Sequence, residues 1–196
     1  MTTYLWLIRF IIKSNVMIRK FSIAFICIAA LAMSFAMIQN WNITEGNKVA
    51  FKIKSALGSV DGTVGGLKGI VSFDPADLAA SNMDVTLDLA TISTGNNKRD
   101  KDIKEEETWF DIAKYPKIAF KSTSVTKSAN GYTLDGTLTI KGVAKKIQIP
   151  FTFADGAGGG NFVGALKINR LNYNVGKSTM MVKDDVEVTI TVPVKK

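Results

Sequence analysis

The sequence predicts an all-β fold, an antiparallel barrel of about eight strands with one short helix in a connection. Three observations carry this expectation. Apolar residues recur at every second position through most of the chain after Val49, turn signals separate these runs, and glycines break one run where a curved sheet needs bends.

Val49, Phe51 and Ile53 alternate with Ala50, Lys52 and Lys54, and Met83, Val85, Leu87 and Leu89 with Asp84, Thr86, Asp88 and Ala90. Ile118 and Phe120 continue the pattern, then Tyr132, Leu134, Gly136, Leu138 and Ile140, then Ile147, Ile149, Phe151 and Phe153. Phe162, Gly164, Leu166 and Ile168 form the next run, and Val186, Val188, Ile190 and Val192 the last. Such alternation marks strands with one dry and one wet face. Turns are expected at Asp74-Pro75, at Asn130-Gly131, at Asp155-Gly156 with Gly158 to Gly160, and at Lys183-Asp184-Asp185. Asn130-Gly131 is the strongest, because both residues tolerate the positive φ of a tight hairpin. Short connections make the strands mostly antiparallel, and a sheet with one apolar face must pack on a second sheet or close on itself. Gly62, Gly65, Gly66 and Gly69, inside the strand-like run from Val60 to Phe73, supply bends or bulges and favour closure. A barrel of about eight strands is just wide enough to be filled by side chains or to hold one small ligand.

The amino-terminal segment stands apart. Met17-Ile18-Arg19-Lys20 is a basic start, Phe21 to Met33 is almost uninterruptedly apolar, and Ser34-Phe35-Ala36 places small residues where a signal peptidase reads. Residues 1–36 are therefore expected to be a signal peptide cleaved after Ala36, with Met17 the true start and residues 1–16 upstream of it. The competing reading is a single membrane anchor, for which the apolar run is shorter than the ~20 residues a span prefers. Cys27 follows Phe25-Ile26, which lacks the small residue of a lipidation site. The expected domain is residues 37–196, periplasmic or secreted, with no stable membrane span after cleavage.

Arg9, Lys13, Arg19 and Lys20 and the single cysteine leave with the signal, and the net charge falls from +8 to +4. With no histidine in the chain and no cysteine in the expected domain, Ser-His-Asp and Cys-His arrangements and zinc sites on those ligands are excluded. Asp184, Asp185 and Glu187 lack the spacing of a good calcium loop, so no metal and no cofactor is expected. An exported domain of modest positive charge also argues against a nucleic-acid partner.

The run KRDKDIKEEETWFD, residues 98 to 111, carries the charge density that an acid–base site would need. Asp100, Asp102, Glu105, Glu106 and Glu107 are available, but no spacing singles out two of them, and adjacent charges on a short helix usually form a solvated face. The pairs Lys98 with Asp102, Asp100 with Lys104 and Lys101 with Glu105 favour a helix from Lys98 to Glu106. Basic residues at its amino end and acidic ones at its carboxyl end oppose the macrodipole. The helix is thus expected to be short and held by Ile103, Trp109 and Phe110, with Tyr115-Pro116 leading into the next strand.

Several ordered motifs now carry a resemblance. Ser93-Thr94-Gly95-Asn96, Arg99-Asp100, Trp109-Phe110-Asp111 and Tyr115-Pro116 with Ile118, Phe120 and Ser122 form one series. Gly136-Thr137-Leu138-Thr139-Ile140-Lys141-Gly142-Val143-Ala144-Lys145 and Gly69-Ile70-Val71-Ser72-Phe73-Asp74-Pro75 form two more. Together they resemble the YceI-like family of secreted lipid-binding proteins, from Trp41 to Pro193. Histidines common in that family near the first strand and after the Arg-Asp pair are absent, the second position reading Asp102.

The resemblance implies a lipocalin-like barrel that binds, carries or stores a polyisoprenoid or similar long-chain lipid without catalysis; the sequence itself leaves monomer and homodimer both open. The residues expected on the apolar tunnel wall are Phe51, Leu87, Phe120, Leu138, Ile140, Ile149, Phe151, Phe153, Leu166, Ile168 and Ile190, with Trp109 and Phe110 turned inward from the charged connection. Arg99, with Lys98 and the start of the helix, and Arg170 are candidates for a lipid head group. For Arg99 the competing role is a clamp, pairing with Asp100 or nearby loops. The alternative function is an extracytoplasmic interaction or stress-response module whose interior is filled by its own side chains.

Overall fold

A computed structural model describes residues 39–196. The apolar run from Phe21 to Met33, the start at Met17 and the cleavage position after Ala36 lie outside the described residues. The strand segments are β1 (Asn40–Ile43), β2 (Lys48–Ser55), β3 (Gly58–Val64), β4 (Lys68–Ser72), β5 (Asn82–Asp88), β6 (Lys117–Ser128), β7 (Gly131–Ile140), β8 (Val143–Gly156), β9 (Gly159–Asn169) and β10 (Val182–Lys195). One helix, α1 (Asn97–Glu105), lies between β5 and β6, and short 3-10 turns follow β5 and β9.

All pairings are antiparallel, in the order β1-β4-β5-β6-β7-β8-β9-β10-β2-β3, and β1 also pairs with β10 to close the ring. The ten segments make eight barrel strands. β1 and β2 run end to end along the single long strand β10, and β3 and β4 run end to end beside them. Gly46, at φ +84°, breaks the first of these strands, and Gly65-Gly66, with Gly66 at +66°, breaks the second. The breaks are tied together, since Leu67 N–H donates to Asn47 Oδ1 at 3.2 Å and Thr44 N–H to Pro193 O at 3.0 Å.

The turns match expectation in place more than in detail. In the β6–β7 hairpin Gly131, at φ +138°, is already paired with Ser128, and Ala129-Asn130 makes the turn, so only one of the two expected residues has positive φ. The turn with two left-handed residues is Lys141-Gly142, at φ 49° and 75°, between β7 and β8. Lys183-Asp184-Asp185 is no turn; it lies inside β10, where the register shifts between Val182 and Val186. Gly62 is an ordinary strand position rather than a bend. A methyl group there would stand 2.2 Å from the Phe51 ring, and one at Gly136 would stand 2.4 Å from the Phe120 ring. Each glycine therefore lets an inward ring lie against the wall.

One end of the barrel is solid. Phe73, fully buried, meets Tyr132, Phe151, Phe153 and Phe162 edge-on at centroid distances of 5.0 to 5.6 Å. Trp41 packs on Phe153 and donates from Nε1 to Phe73 O at 2.9 Å. Six aromatic rings thus form a plug. Phe73→Ala should lower unfolding free energy by about 3–5 kcal/mol, read from urea denaturation; a loss under about 1 kcal/mol would show that the plug relaxes around the missing ring.

Candidate functional site

Beyond the plug the barrel is hollow. Phe51, Leu87, Leu138, Leu166, Ile168, Val188 and Ile190 point toward the axis yet are only half-buried, because part of each faces an enclosed space. That space is a cavity of about 230 Å³, against the ~10–15 Å³ that one water requires. Val64, Leu67, Val71, Phe120, Leu134, Ile149, Phe151 and Phe162 complete the lower wall, and Ile53, Val186, Ile118 and Ile140 the upper. The interior is not filled by its own side chains.

The upper end is covered by the connection between β5 and β6. β5 pairs with β4 and stops at Asp88, too short to reach β3, and the chain meets β3 only at Ser93, through Thr63 N–H to Ser93 O at 2.8 Å and its reciprocal at 2.9 Å. It then crosses the mouth as α1. Asn96 caps the helix, its Oδ1 accepting from Arg99 N–H at 3.0 Å, and Lys101 pairs with Glu105 on the solvated face. Ile103 faces the cavity, and after Glu105 the chain doubles back, Phe110 N–H donating to Ile103 O at 3.1 Å, so that Trp109 and Phe110 also reach it. The charged run is scaffold, with its apolar residues turned to the lumen.

Three side chains hold this cap. Asp100 is buried, and its Oδ1 accepts from Thr94 N–H at 2.7 Å and Thr94 Oγ1 at 2.6 Å. Burial alone would raise its pKa, but hydrogen bonds from Thr94 and Ser93 and the charge of Lys104 together outweigh it and hold the carboxyl below the usual range. Lys141 Nζ donates to Glu107 O at 2.6 Å and Asn174 O at 2.8 Å, joining the cap to the turn after β9. Burial holds this ammonium below its ordinary value, although Asp111 and Glu107 pull the other way.

Arg170 is the centre of the third tie. Only 3% exposed, it donates to the carbonyls of Val175, Lys177, Val182 and Lys183 and makes a 2.9 Å ion pair with Asp184. The Trp109 ring lies 5.7 Å from its guanidinium carbon. Its side chain borders the cavity, but all three of its nitrogens already donate to the protein. Arg170 is therefore a knot and not a free anion receptor.

Of the thirteen residues expected on the tunnel wall, Phe51, Leu87, Trp109, Phe110, Phe120, Leu138, Ile140, Ile149, Phe151, Leu166, Ile168 and Ile190 line the cavity. Phe153 does not. It points inward, but at the level of the plug, where it packs tilted against Phe162 and edge-on against Trp41. Arg99 is half-exposed on α1, away from the cavity wall, and Asp100 bonds Thr94 and not Arg99. The expected site omitted Val64, Leu67, Val71, Tyr173 and Val175. The alternation from Val60 to Val64 and the Tyr173-x-Val175 spacing were the available signals. Tyr173 is buried at the upper end, which raises its hydroxyl pKa and keeps it neutral. Asp184 serves Arg170 and Asp185 pairs with Lys167 at 2.8 Å, so the two carboxylates diverge instead of sharing an ion.

Comparison with known proteins decides the family. Residues 41–194 match the YceI-like domain. The chain belongs to the YceI-like family. A UPF0312 protein of Pseudomonas savastanoi is 38% identical over 157 residues, 74% of this chain and 80% of that one. A UPF0312 protein of Yersinia enterocolitica is 33% identical over 88 residues, so this chain spans 45% of that relative's length. BcnA of Burkholderia cenocepacia is similar in structure, with a TM-score of 0.72 and 29% identity over 78% of this chain and 99% of that one. A polyisoprenoid binding domain from Saccharophagus degradans, 14% identical, shares the fold with a TM-score of 0.59 over 80% of this chain and 97% of that one. The closed eight-stranded antiparallel barrel with one short helix is the fold of this YceI-like chain.

Two outcomes separate knot from receptor and fix the cap's acid response. Arg170→Met should lower stability by about 3 kcal/mol, while Arg99→Gln should stay within about 0.5 kcal/mol of wild type in the same denaturant titration. Asp100 contributes stability that is fully present above the unfolded carboxylate pKa of about 3.9 and is lost as pH falls through its lowered native value. Asp100→Asn keeps an oxygen for both Thr94 bonds, so in acid the wild type should lose more stability than this variant; parallel curves would remove Asp100 from the acid response.

Proposed function

We propose that this protein binds a long apolar lipid chain, an isoprenoid or one of similar bulk, inside the barrel and carries or stores it outside the cytoplasm without catalysis. The observation that carries this reading is a hollow lumen lined almost wholly by hydrocarbon, whose one buried cation has its hydrogen bonds satisfied by the protein. A polar head placed there would be desolvated without a partner, so the chain enters tail first and the head stays at the capped end. Each buried methylene stabilises the complex by about 0.8 kcal/mol, which makes length the source of affinity. Ten buried methylenes would reach about 8 kcal/mol before the entropic cost of ordering the chain.

Two further facts support it. The Saccharophagus degradans protein of the same fold is a polyisoprenoid binding domain. The amino-terminal apolar run with its basic start has the form of an export signal. No chemistry is required of the carboxylates on α1, which are solvated or committed to the cap. No helix among the described residues is long and apolar enough to cross a membrane.

The test is native mass spectrometry of the protein purified from its own cells without detergent, followed by organic extraction. A stoichiometric long-chain lipid is the expected result. An apo mass, unchanged after exposure to isoprenoid quinones and prenyl phosphates, would overturn the reading. Leu166→Trp and Val188→Phe place bulk from paired positions into the middle of the lumen. Displacing even two methylenes should weaken binding by roughly tenfold while the variants remain folded.

A further inference from the structure

Five large hydrophobic residues are exposed among the described ones, and three of them meet at one place. Leu57, 90% exposed, is the tip of the β2–β3 hairpin; Met180 and Met181, 97% and 54% exposed, precede β10. The two loops are side by side, since Ala56 N–H donates to Met181 O at 2.9 Å and Ser55 pairs with Val182. Ile53 and Val186, a pair on the same ladder just inside this lip, line the cavity. The lip thus stands at the capped end, opposite the aromatic plug.

Lys54, Lys177 and Lys183 flank the three apolar tips, all exposed, and none forms an ion pair among the described residues. Of the carboxylates beside Lys183 on β10, Asp184 is committed to Arg170 and Asp185 to Lys167. On the side of the cap, Gly176 N–H donates to Thr108 O at 2.7 Å, which sets the Glu106–Glu107 segment beside the Lys177 end of the lip. Three side chains are far too few for a stable protein interface, which needs about 1,000 Å² or more. They suit shallow insertion into a lipid headgroup layer, where a small apolar anchor acts only together with basic residues.

We propose that the lip of Leu57, Met180 and Met181, with Lys54, Lys177 and Lys183, docks the capped end of the barrel on an anionic lipid bilayer. The occupant is a membrane surface and not a protein, and the docking brings the mouth of the lumen to the place where apolar chains reside. The purpose of docking rests on the lipid-carrier reading above, but the docking itself does not.

Vesicle co-sedimentation of the purified protein tests it, with phosphatidylcholine alone and with a phosphatidylcholine–phosphatidylglycerol mixture. Because residues 1–36 are themselves apolar, the readout is the difference between variants of the same chain. Wild type should bind the anionic vesicles, and salt should weaken it. Leu57→Ser/Met180→Ser/Met181→Ser and Lys54→Gln/Lys177→Gln/Lys183→Gln should each lose tenfold or more, at roughly fivefold per lysine for the second set. Ile70→Ser/Val163→Ser, which removes exposed apolar residues elsewhere, should bind as wild type. Equal binding by all variants, or wild-type binding to neither vesicle, overturns the proposal, as does loss in the Ile70/Val163 control alone. Uptake of an isoprenoid quinone supplied from solvent separates the two readings: the lip variants should load normally from solvent and slowly from vesicles. Normal loading with no vesicle binding sinks docking alone, and vesicle binding with no loading sinks the carrier reading alone.

Discussion

Phe73 and the five rings around it are the anchor on which the rest of the barrel depends. A hollow barrel forgoes the packing that normally stabilises the middle of a domain, because wall atoms facing a void lose their dispersion partners. Stability must then come from the ladder of backbone hydrogen bonds and from the two ends. The aromatic plug supplies one end by burying large rings edge to face, where each pair adds to the area already buried. With that end fixed, the other can be closed by a looser device.

That device is polar. The cap is held by Asp100 on Thr94, Lys141 on two carbonyls and Arg170 on four, so it is tied by directional bonds whose partners are mostly backbone. The apolar residues of the cap, Ile103, Trp109 and Phe110, face the void and are less completely covered than the plug. The contrast gives the molecule a tight end and a serviceable one. Opening the latter breaks hydrogen bonds that water can replace, whereas opening the former would expose six rings.

The sequence made the wall legible because alternation reports side-chain direction, and twelve of the thirteen expected residues lie on the cavity. Phe153 shows what alternation omits. Parity says that a residue points inward but not at which height along the axis, and at Phe153 the lumen has already given way to the plug. Arg170 was readable as a buried cation only with its partners in view, since backbone carbonyls carry no sequence signature. Lys183-Asp184-Asp185 had the composition of a turn, yet Asp184 turns to Arg170 and Asp185 to Lys167 from opposite faces of one strand. The exposure of Leu57 and Met180 was equally hidden, because it depends on which neighbours are missing.

The plug has a consequence for whatever occupies the lumen. A tube sealed at one end sets a limit on its contents: a chain entering from the capped end would stop where its leading tip met Phe151 and Phe162, and any surplus length would remain outside. Chains shorter than the bore leave dry space behind them, and longer ones gain nothing from their extra units. Such a vessel also cannot pass material through. Under the carrier reading, arrival and departure would share one door, so filling and emptying would be mutually exclusive events, with direction set by what lies before the door rather than by the vessel.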